Sequence, residues 1–135
     1  MKTANVLKLY LLTIPIFFVI DLLWLGVLAK GIYKKYLGSF LSEQVNWVAA
    51  IIFYLIFIAG IIFFAVLPAV EKDSLSRALL LGVLFGFFTY ATYDLTNLAT
   101  LKDWPMTIVF IDIIWGMVLS GLVSTASFLI AKRLV

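Results

Sequence analysis

The sequence contains no cysteine and no histidine, and only 13% of its residues are charged. Without those two side chains the protein has no disulfide, no thiol nucleophile, no haem attachment, no histidine zinc site and no histidine proton relay. The charged fraction is far below the roughly 25% that is usual in a soluble domain. Any chemistry must therefore use carboxylates, hydroxyls, amides and aromatic rings.

Long apolar runs take the place of the missing charge. Hydrophobic residues make up 65% of the chain, and the mean hydropathy is +1.19. Four runs reach the ~20 residues that cross a bilayer, and none contains a lysine or arginine. The first run is too long for a cleavable signal, so we interpret it as a retained helix. The sequence predicts an all-α, multi-pass membrane protein with a single domain, residues 1–135, folded as a four-helix bundle with helices at about 9–29, 47–69, 78–101 and 105–131.

Local signals mark several helix ends. Ser74 can cap the start of the third helix, and Pro105 suits the first turn of the fourth. Pro68 is expected to mark the exit of the second helix. Trp47 and Trp104 lie next to predicted helix ends on the same side of the membrane, which indicates an aromatic belt at the interface.

The first loop, Lys30 to Val45, has a mixed pattern. Apolar and aromatic residues recur there at helical spacing, with lysines on the other flank. One interpretation is an amphipathic helix that lies in the membrane interface. The other is a solvated loop anchored by its tyrosines. The residues of the apolar side are Tyr33, Tyr36, Leu37, Phe40 and Leu41.

Basic residues at the helix ends indicate the orientation of the protein. With the N-terminus inside, six basic residues lie on the cytoplasmic side and four lie outside, which favours both termini in the cytoplasm. The formal net charge of +3 is concentrated at lipid headgroup level, which predicts contact with membrane lipids and no binding of nucleic acid. The inner set is Lys2, Lys8, Lys72, Arg77, Lys132 and Arg133, and the outer set is Lys30, Lys34, Lys35 and Lys102.

Three aspartates, Asp21, Asp94 and Asp112, lie inside the apolar runs with no basic residue to pair with them. A charged side chain at the centre of a membrane helix costs roughly 2.5 to 3.5 kcal/mol on insertion scales. Their spacing from the nearest helix ends places all three ~12 to 14 Å below the same face of the membrane. We therefore expect them to turn inward around a common cavity, and at least one to hold its proton at pH 7.

Aromatic and amide side chains accompany the aspartates on the predicted helix faces. On the third helix, Tyr90 and Asn97 share a stripe with Asp94. Asp21 and Asp112 are each followed three positions later by a tryptophan. This repeated Asp-x-x-Trp pattern reflects either an inverted duplication or coincidence. The candidate ligand-binding residues are Asp21, Trp24, Tyr90, Asp94, Asn97, Asp112 and Trp115.

Small residues repeat on the third and fourth helices. Gly82 and Gly86 extend the stripe of the third, and Gly116 and Ser120 follow each other at a four-residue interval on the fourth. Such seams let membrane helices approach closely. We expect them to offer surfaces for a homodimer.

Several stretches of the sequence resemble a known protein family. They are FVIDLLWLG at 18–26, FYLIFIAG at 53–60, TYATYDLTNLATLKDWP at 89–105 and DIIWG at 112–116. The most specific is YDLTNLATLKDWP followed by DIIWG. Over nearly its whole length the chain resembles an uncharacterised family of small four-helix bacterial inner-membrane proteins, classed as a domain of unknown function. The resemblance implies a bacterial inner-membrane location and four helices, and it implies no reaction.

Three functions fit the predicted site. The first is binding or proton-coupled transport of a lipophilic or cationic ligand, in which carboxyls exchange protons and aromatic faces attract the cation. The second is a lipid- or isoprenoid-modifying enzyme that uses the aspartates as general acid and base. The third is a structural or partner subunit whose buried polar contacts hold helices in register. No cofactor is expected, and a hard cation would bind only if the carboxyls and Asn97 came within coordination distance.

Overall fold

Long helices account for nearly all of the structure. The computed structural model describes residues 1–135 and contains no strand. Four helices are long and apolar enough to cross a membrane. The predicted all-α architecture with four membrane spans is therefore confirmed. The helices are α1 (Thr3–Leu28), α2 (Lys30–Leu37), α3 (Trp47–Glu71), α4 (Leu75–Thr100) and α5 (Met106–Leu134).

Several helix ends follow the local chemistry of the sequence. The Ser74 hydroxyl accepts a hydrogen bond from the backbone N–H of Arg77 at 3.2 Å, so it caps the start of α4. Pro105 directly precedes α5. The first and last helices run further than the apolar pattern predicts, from Thr3 and to Leu134. Polar residues at those ends continue the helix beyond the apolar run, because helical hydrogen bonding does not require an apolar side chain.

Two wide π-helical turns interrupt the α-helical spans. One forms the last turn of α1, Trp24–Leu28, and the other lies in α3 at Ile62–Val66. Pro68 was expected to end α3, but the helix continues to Glu71. A proline ring clashes with the carbonyl four residues earlier in a regular helix. The wide turn that precedes Pro68 accommodates the ring without ending the span. Wide turns of this kind occur frequently at functional sites.

The closest helix pair is α4 with α5, which meet through small residues. A Cβ added to Gly86 would collide with the backbone of Gly116, and a Cβ added to Gly116 would collide with the Tyr90 ring. The Ser124 hydroxyl donates to the carbonyl of Ala78 at 2.7 Å. The two seams bury each other inside one chain, and the homodimer stays a prediction.

The two chain termini lie at the same end of the bundle. The Asn5 side-chain amide donates to the carbonyl of Leu134 at 2.8 Å, which joins the start of α1 to the end of α5. Two turns further in, the buried hydroxyls of Thr13 and Ser127 are 2.9 Å apart. An even number of spans therefore returns the chain to the side on which it starts.

The first loop folds back against the bundle. Residues 30–37 form α2, and Leu37 is buried beside Trp104 in a small apolar cluster with Ile108 and Val109. Phe40 lies beyond the end of α2 and is 41% exposed. The apolar side of this helix is therefore shorter than the sequence pattern predicts. Of the two interpretations of the loop, the structure has the helix, and the inner side of that helix faces protein.

Candidate functional site

The three aspartates of the apolar runs are all buried. Asp21 in α1 is 5% exposed, Asp94 in α4 is 0% exposed and Asp112 in α5 is 7% exposed. None of them contacts a basic side chain. The only ion pair of the protein joins Lys132 to Asp73 at an exposed position. The neighbours of these carboxyls are aromatic residues and other carboxyls.

The Asp21 carboxyl is held by aromatic side chains from two other helices. The indole N–H of Trp115 on α5 donates to its Oδ1 at 3.2 Å. The Tyr54 hydroxyl on α3 also lies beside this carboxyl. Asp21 is therefore anchored on two sides by polar groups of α3 and α5.

A chain of two hydrogen bonds leads to Asp112. The indole N–H of Trp24 donates to the Tyr33 hydroxyl at 3.0 Å. The Tyr33 hydroxyl in turn donates to Oδ1 of Asp112 at 2.5 Å. Since Tyr33 belongs to α2, the first loop contributes directly to the acidic cluster. Burial, and next the hydrogen bond to Asp112, raise the pKa of Tyr33 well above the usual tyrosine range.

The two tryptophans stack on each other between the carboxyls. The rings of Trp24 and Trp115 have centroids 4.6 Å apart and planes only 10° apart. Because α1 and α5 run in opposite directions, Trp115 reaches Asp21 directly, while Trp24 is connected to Asp112 through Tyr33. The repeated pattern therefore forms a crossed pair. One face of each indole is covered by the other, so a cation could contact only the outer faces.

Asp94 differs from the other two aspartates in its hydrogen bonding. Neither of its oxygens accepts a hydrogen bond, although the side chain is completely buried. It lies beside the Asp112 carboxyl and faces the indole of Trp104. The Trp104 N–H is buried and also has no hydrogen-bond partner. A buried carboxyl without a donor is costly to ionise.

The three carboxyls do not meet at one point. No group of three carboxylates lies close enough together to hold a metal ion. Asp94 and Asp112 form a pair, which we call the acid pair, while Asp21 has its own aromatic partners. The Tyr90 ring lies near both Asp21 and Asp112 and packs on Gly116. These contacts divide the carboxyls into the acid pair and Asp21, and the common cavity stays a prediction.

Asn97 is half-buried on α4, and none of the hydrogen bonds of this cluster includes its side chain. The other six candidate residues lie in or next to the cluster. The stripe on α4 therefore supplies Tyr90 and Asp94 to the centre of the bundle.

Sequence reasoning missed three residues of the cluster: Tyr33, Tyr54 and Trp104. Tyr54 is a lone polar residue inside an apolar span, which was a usable signal. Trp104 was interpreted as an interface anchor, but it is only 8% exposed, whereas Trp47 is 67% exposed. Nothing in the spacing of the first loop indicated which of its tyrosines turns inward.

Two shallow grooves lie elsewhere, on the outer surface of the bundle. One runs between α4 and α5 and is lined by residues such as Leu79, Val83 and Ile114. The other lies along α4 near Phe88 and Thr92. Neither includes an aspartate of the cluster. The acid pair itself is enclosed by packed side chains, because Asp94 and Asp112 are both buried.

The chain matches the model of a protein family over most of its length. The family described as Predicted membrane protein (DUF2177) matches residues 6–129, which include most of all four spans. This match confirms the resemblance seen in the sequence, and its description names no reaction or ligand. No curated protein and no solved structure matches the chain.

Proposed function

We propose that this chain, which belongs to the DUF2177 family of predicted membrane proteins, binds a lipophilic cation at its acid pair and releases a proton in exchange. The proposal rests on the surroundings of Asp94. This carboxyl is fully buried, accepts no hydrogen bond and lies beside a second carboxyl. Two adjacent buried carboxyls without a basic partner need a proton or a cation between them.

The surroundings favour an organic cation over a hard metal ion. The acid pair supplies only two carboxyls, and the aromatic side chains of Tyr33, Tyr90 and Trp104 lie beside it. Outer faces of Trp24 and Trp115 and the ring of Tyr90 offer the negative electrostatic surface that organic cations prefer. Binding and transport both require the enclosed site to open, and the wide turn at Trp24–Leu28 lies next to the cluster.

The orientation of the protein forms part of the proposal. The end that holds both termini carries six of the ten basic residues, and the opposite end carries four. We propose that the terminal end faces the cytoplasm of a bacterial cell, in its inner membrane. The acid pair then lies closer to the outer face, beneath α2.

An enzyme that modifies lipids or isoprenoids remains the second candidate. The observation in its favour is that one carboxyl of the pair has a hydrogen-bond donor and the other has none. Such unlike surroundings separate an acid from a base. The enzyme differs from the binding protein in a measurable way, because it converts a lipid of the membrane into a product.

Equilibrium binding in lipid nanodiscs tests the proposal. Tetraphenylphosphonium is a suitable probe, since it is a lipophilic cation without hydrogen-bond donors. Its affinity is measured from pH 5 to pH 9 for the wild type and for Asp94→Asn. Asp103→Asn is the matched control, because Asp103 lies in an exposed turn with φ 61° that asparagine also adopts.

We expect the wild-type affinity to rise with pH, by up to about tenfold per pH unit, because one proton and one cation compete for the same carboxyls. Asp94→Asn should remain folded and lose this dependence, because an amide does not titrate. Asp103→Asn should behave like the wild type. Binding that is equally strong at every pH in the wild type would refute the proposal. Conversion of lipids in an extract, abolished by Asp94→Asn, would support the enzyme instead.

A further inference from the structure

The direction of each hydrogen bond in the chain from Trp24 to Asp112 is fixed by chemistry. An indole N–H can only donate, so the Tyr33 oxygen must accept from Trp24. The hydroxyl has one hydrogen, and the only acceptor within its reach is Oδ1 of Asp112. Trp24 therefore orients the Tyr33 hydroxyl toward Asp112.

The second bond favours the charged form of its acceptor. A hydroxyl that donates to a carboxyl stabilises the ionised carboxylate over the neutral acid. The Tyr33 hydroxyl lies 2.5 Å from Asp112. The raised pKa of Tyr33 keeps this hydroxyl protonated, and so a donor, at any physiological pH.

The second carboxyl of the pair has the opposite surroundings. No N–H or O–H of the protein donates to Asp94. The indole N–H of Trp104 faces this carboxyl without forming a hydrogen bond, so a negative charge there is poorly stabilised, whereas a protonated Asp94 can donate its own hydrogen to the neighbouring Asp112. The geometry of the pair is therefore asymmetric.

We propose that Asp94 holds the exchangeable proton, that Asp112 is the resident carboxylate, and that Tyr33 on α2 is the positioning residue that fixes this assignment. The inference rests on the proposed function, which it deepens by giving the two carboxyls separate roles. When a cation binds beside Asp112, the proton of Asp94 leaves. The pair carries one negative charge before the exchange and two after it, so the pair together with the bound cation keeps one net negative charge.

The groups that face Asp112 support a dominant role for Tyr33. They are Tyr33 from α2 and Asp94 and Tyr90 from α4. Asp21 from α1 is linked to Asp112 by Tyr33 and Tyr90, which lie near both carboxyls. None of them is basic, and Tyr33 is the one that still donates a hydrogen bond to this carboxyl when Asp94 is ionised. Asp112 thus depends on α2, a helix outside the four spans, for the bond that stabilises its charge.

Infrared spectroscopy tests the assignment without any ligand. The band of protonated carboxyls is recorded at pH 7 for the wild type, Asp94→Asn and Asp112→Asn. Asp94→Asn should lose one protonated carboxyl, because the amide of the new side chain can donate to Asp112 and keep it ionised. Asp112→Asn should retain the band. Loss of the band only in Asp112→Asn would overturn the assignment, whatever the outcome of the binding experiment.

A matched pair of tyrosine variants tests the role of Tyr33. Tyr36 lies one turn further along the same helix, is half-buried in the same region and makes no side-chain hydrogen bond, so Tyr36→Phe is the control. Tyr33→Phe should move the pH midpoint of tetraphenylphosphonium binding upward by up to about one to two units, the equivalent of one hydrogen bond to a charged group. Without that bond the proton can move to Asp112, and the pair then holds it more tightly. Tyr36→Phe should leave the midpoint unchanged.

The outcomes separate this inference from the proposed function. If the wild type shows no pH-dependent binding, the proposed function fails, and the infrared bands still decide which carboxyl holds the proton. If the wild type binds as expected but Tyr33→Phe and Tyr36→Phe have the same midpoint, Tyr33 is not the positioning residue. A merely structural Tyr33 would change the unfolding temperature without moving the midpoint.

Discussion

The interface between α4 and α5 has two ends that are built in opposite ways. At the end nearer the termini, which we call the glycine end, Gly82 and Gly86 pack directly on the backbone of residues 116–121. At the other end, the acid end, Asp94 lies beside Asp112 and near Trp104. The same two helices therefore provide close packing at one end and a carboxyl pair at the other.

The two ends also differ in how their buried polar atoms are satisfied. At the glycine end the Ser124 hydroxyl donates to a backbone carbonyl, although the neighbouring Ser120 hydroxyl makes no hydrogen bond. At the acid end a carboxyl and an indole N–H are both buried without partners. A buried ionised carboxyl without a hydrogen-bond partner costs far more free energy than a buried hydroxyl without one. Departures of this kind are expected at functional sites, so the glycine end is interpreted as the stabilising part of the interface and the acid end as the functional part.

The largest effect should come from filling the glycine end. Gly86→Ala places a methyl group against the Gly116 backbone, which cannot move away as a flexible side chain could. We expect a loss of about 3 kcal/mol in the free energy of unfolding, at the upper end of the range for overpacking. Reversible unfolding in mixed micelles measures it. Gly26→Ala is the control, because no atom lies within 4 Å of the added methyl. Equal stability of the two variants would contradict the assignment of this end.

Replacing an aspartate by valine should change the free energy of unfolding less, and the direction should differ between Asp94 and Asp21. Asp94→Val removes a carboxyl that has no donor, so stability should be unchanged or slightly higher, while pH-dependent binding is lost. Asp21→Val leaves the Trp115 N–H without its acceptor and should cost about 2 kcal/mol. The same unfolding assay compares the two. A greater loss for Asp94→Val would mean that the acid end stabilises the fold.

The bonded hydroxyls near the terminal end should contribute modestly. Thr13 and Ser127 are both fully buried, with their oxygens 2.9 Å apart. A double-mutant cycle with Thr13→Val and Ser127→Ala should give a coupling energy of about 0.6 kcal/mol, the average for hydrogen bonds between membrane helices. A coupling energy several times larger would place polar contacts above close packing as the main stabilising contribution at this end.

The smallest effect is expected at the surface. Lys132 and Asp73 form an ion pair of 2.7 Å, with side chains 45% and 70% exposed. Lys132→Ala should change the free energy of unfolding by less than about 0.5 kcal/mol, and the change should vanish at high salt. A loss comparable to that of Gly86→Ala would show that the terminal end is held together by charge and not by packing.

Parts of the fold and of the site could be predicted from the sequence, because they depend on short-range patterns. Apolar length gave the four spans, and the cap at Ser74 followed from its side chain. The lack of basic residues in the spans singled out Asp21, Asp94 and Asp112. Helical spacing also placed Tyr90 on the inward face of its helix, beside Gly116.

Other parts depend on which helices become neighbours, and spacing along one helix does not contain that information. The seams on α4 and α5 looked like dimer surfaces, since a seam does not specify its partner. Asn97 shares a stripe with Asp94 but lies outside the cluster, because a neighbouring helix covers only part of a stripe. Trp104 looked like an interface anchor from the sequence. Its burial depends on the packing of α2 against it, which only the structure shows.

The sequence by itself determined that this protein spans a membrane with four helices and carries three carboxyls that no basic side chain neutralises. Only the tertiary structure decided how those carboxyls are divided. Close packing at Gly86 and Gly116 fixes which faces of α4 and α5 meet, and this arrangement places Asp94 next to Asp112. The antiparallel pairing of α1 and α5 gives Asp21 its tryptophan, and the fold of α2 supplies Tyr33. These pairings join residues 79 and 94 positions apart, so they arise from the packing of whole helices and not from any local pattern.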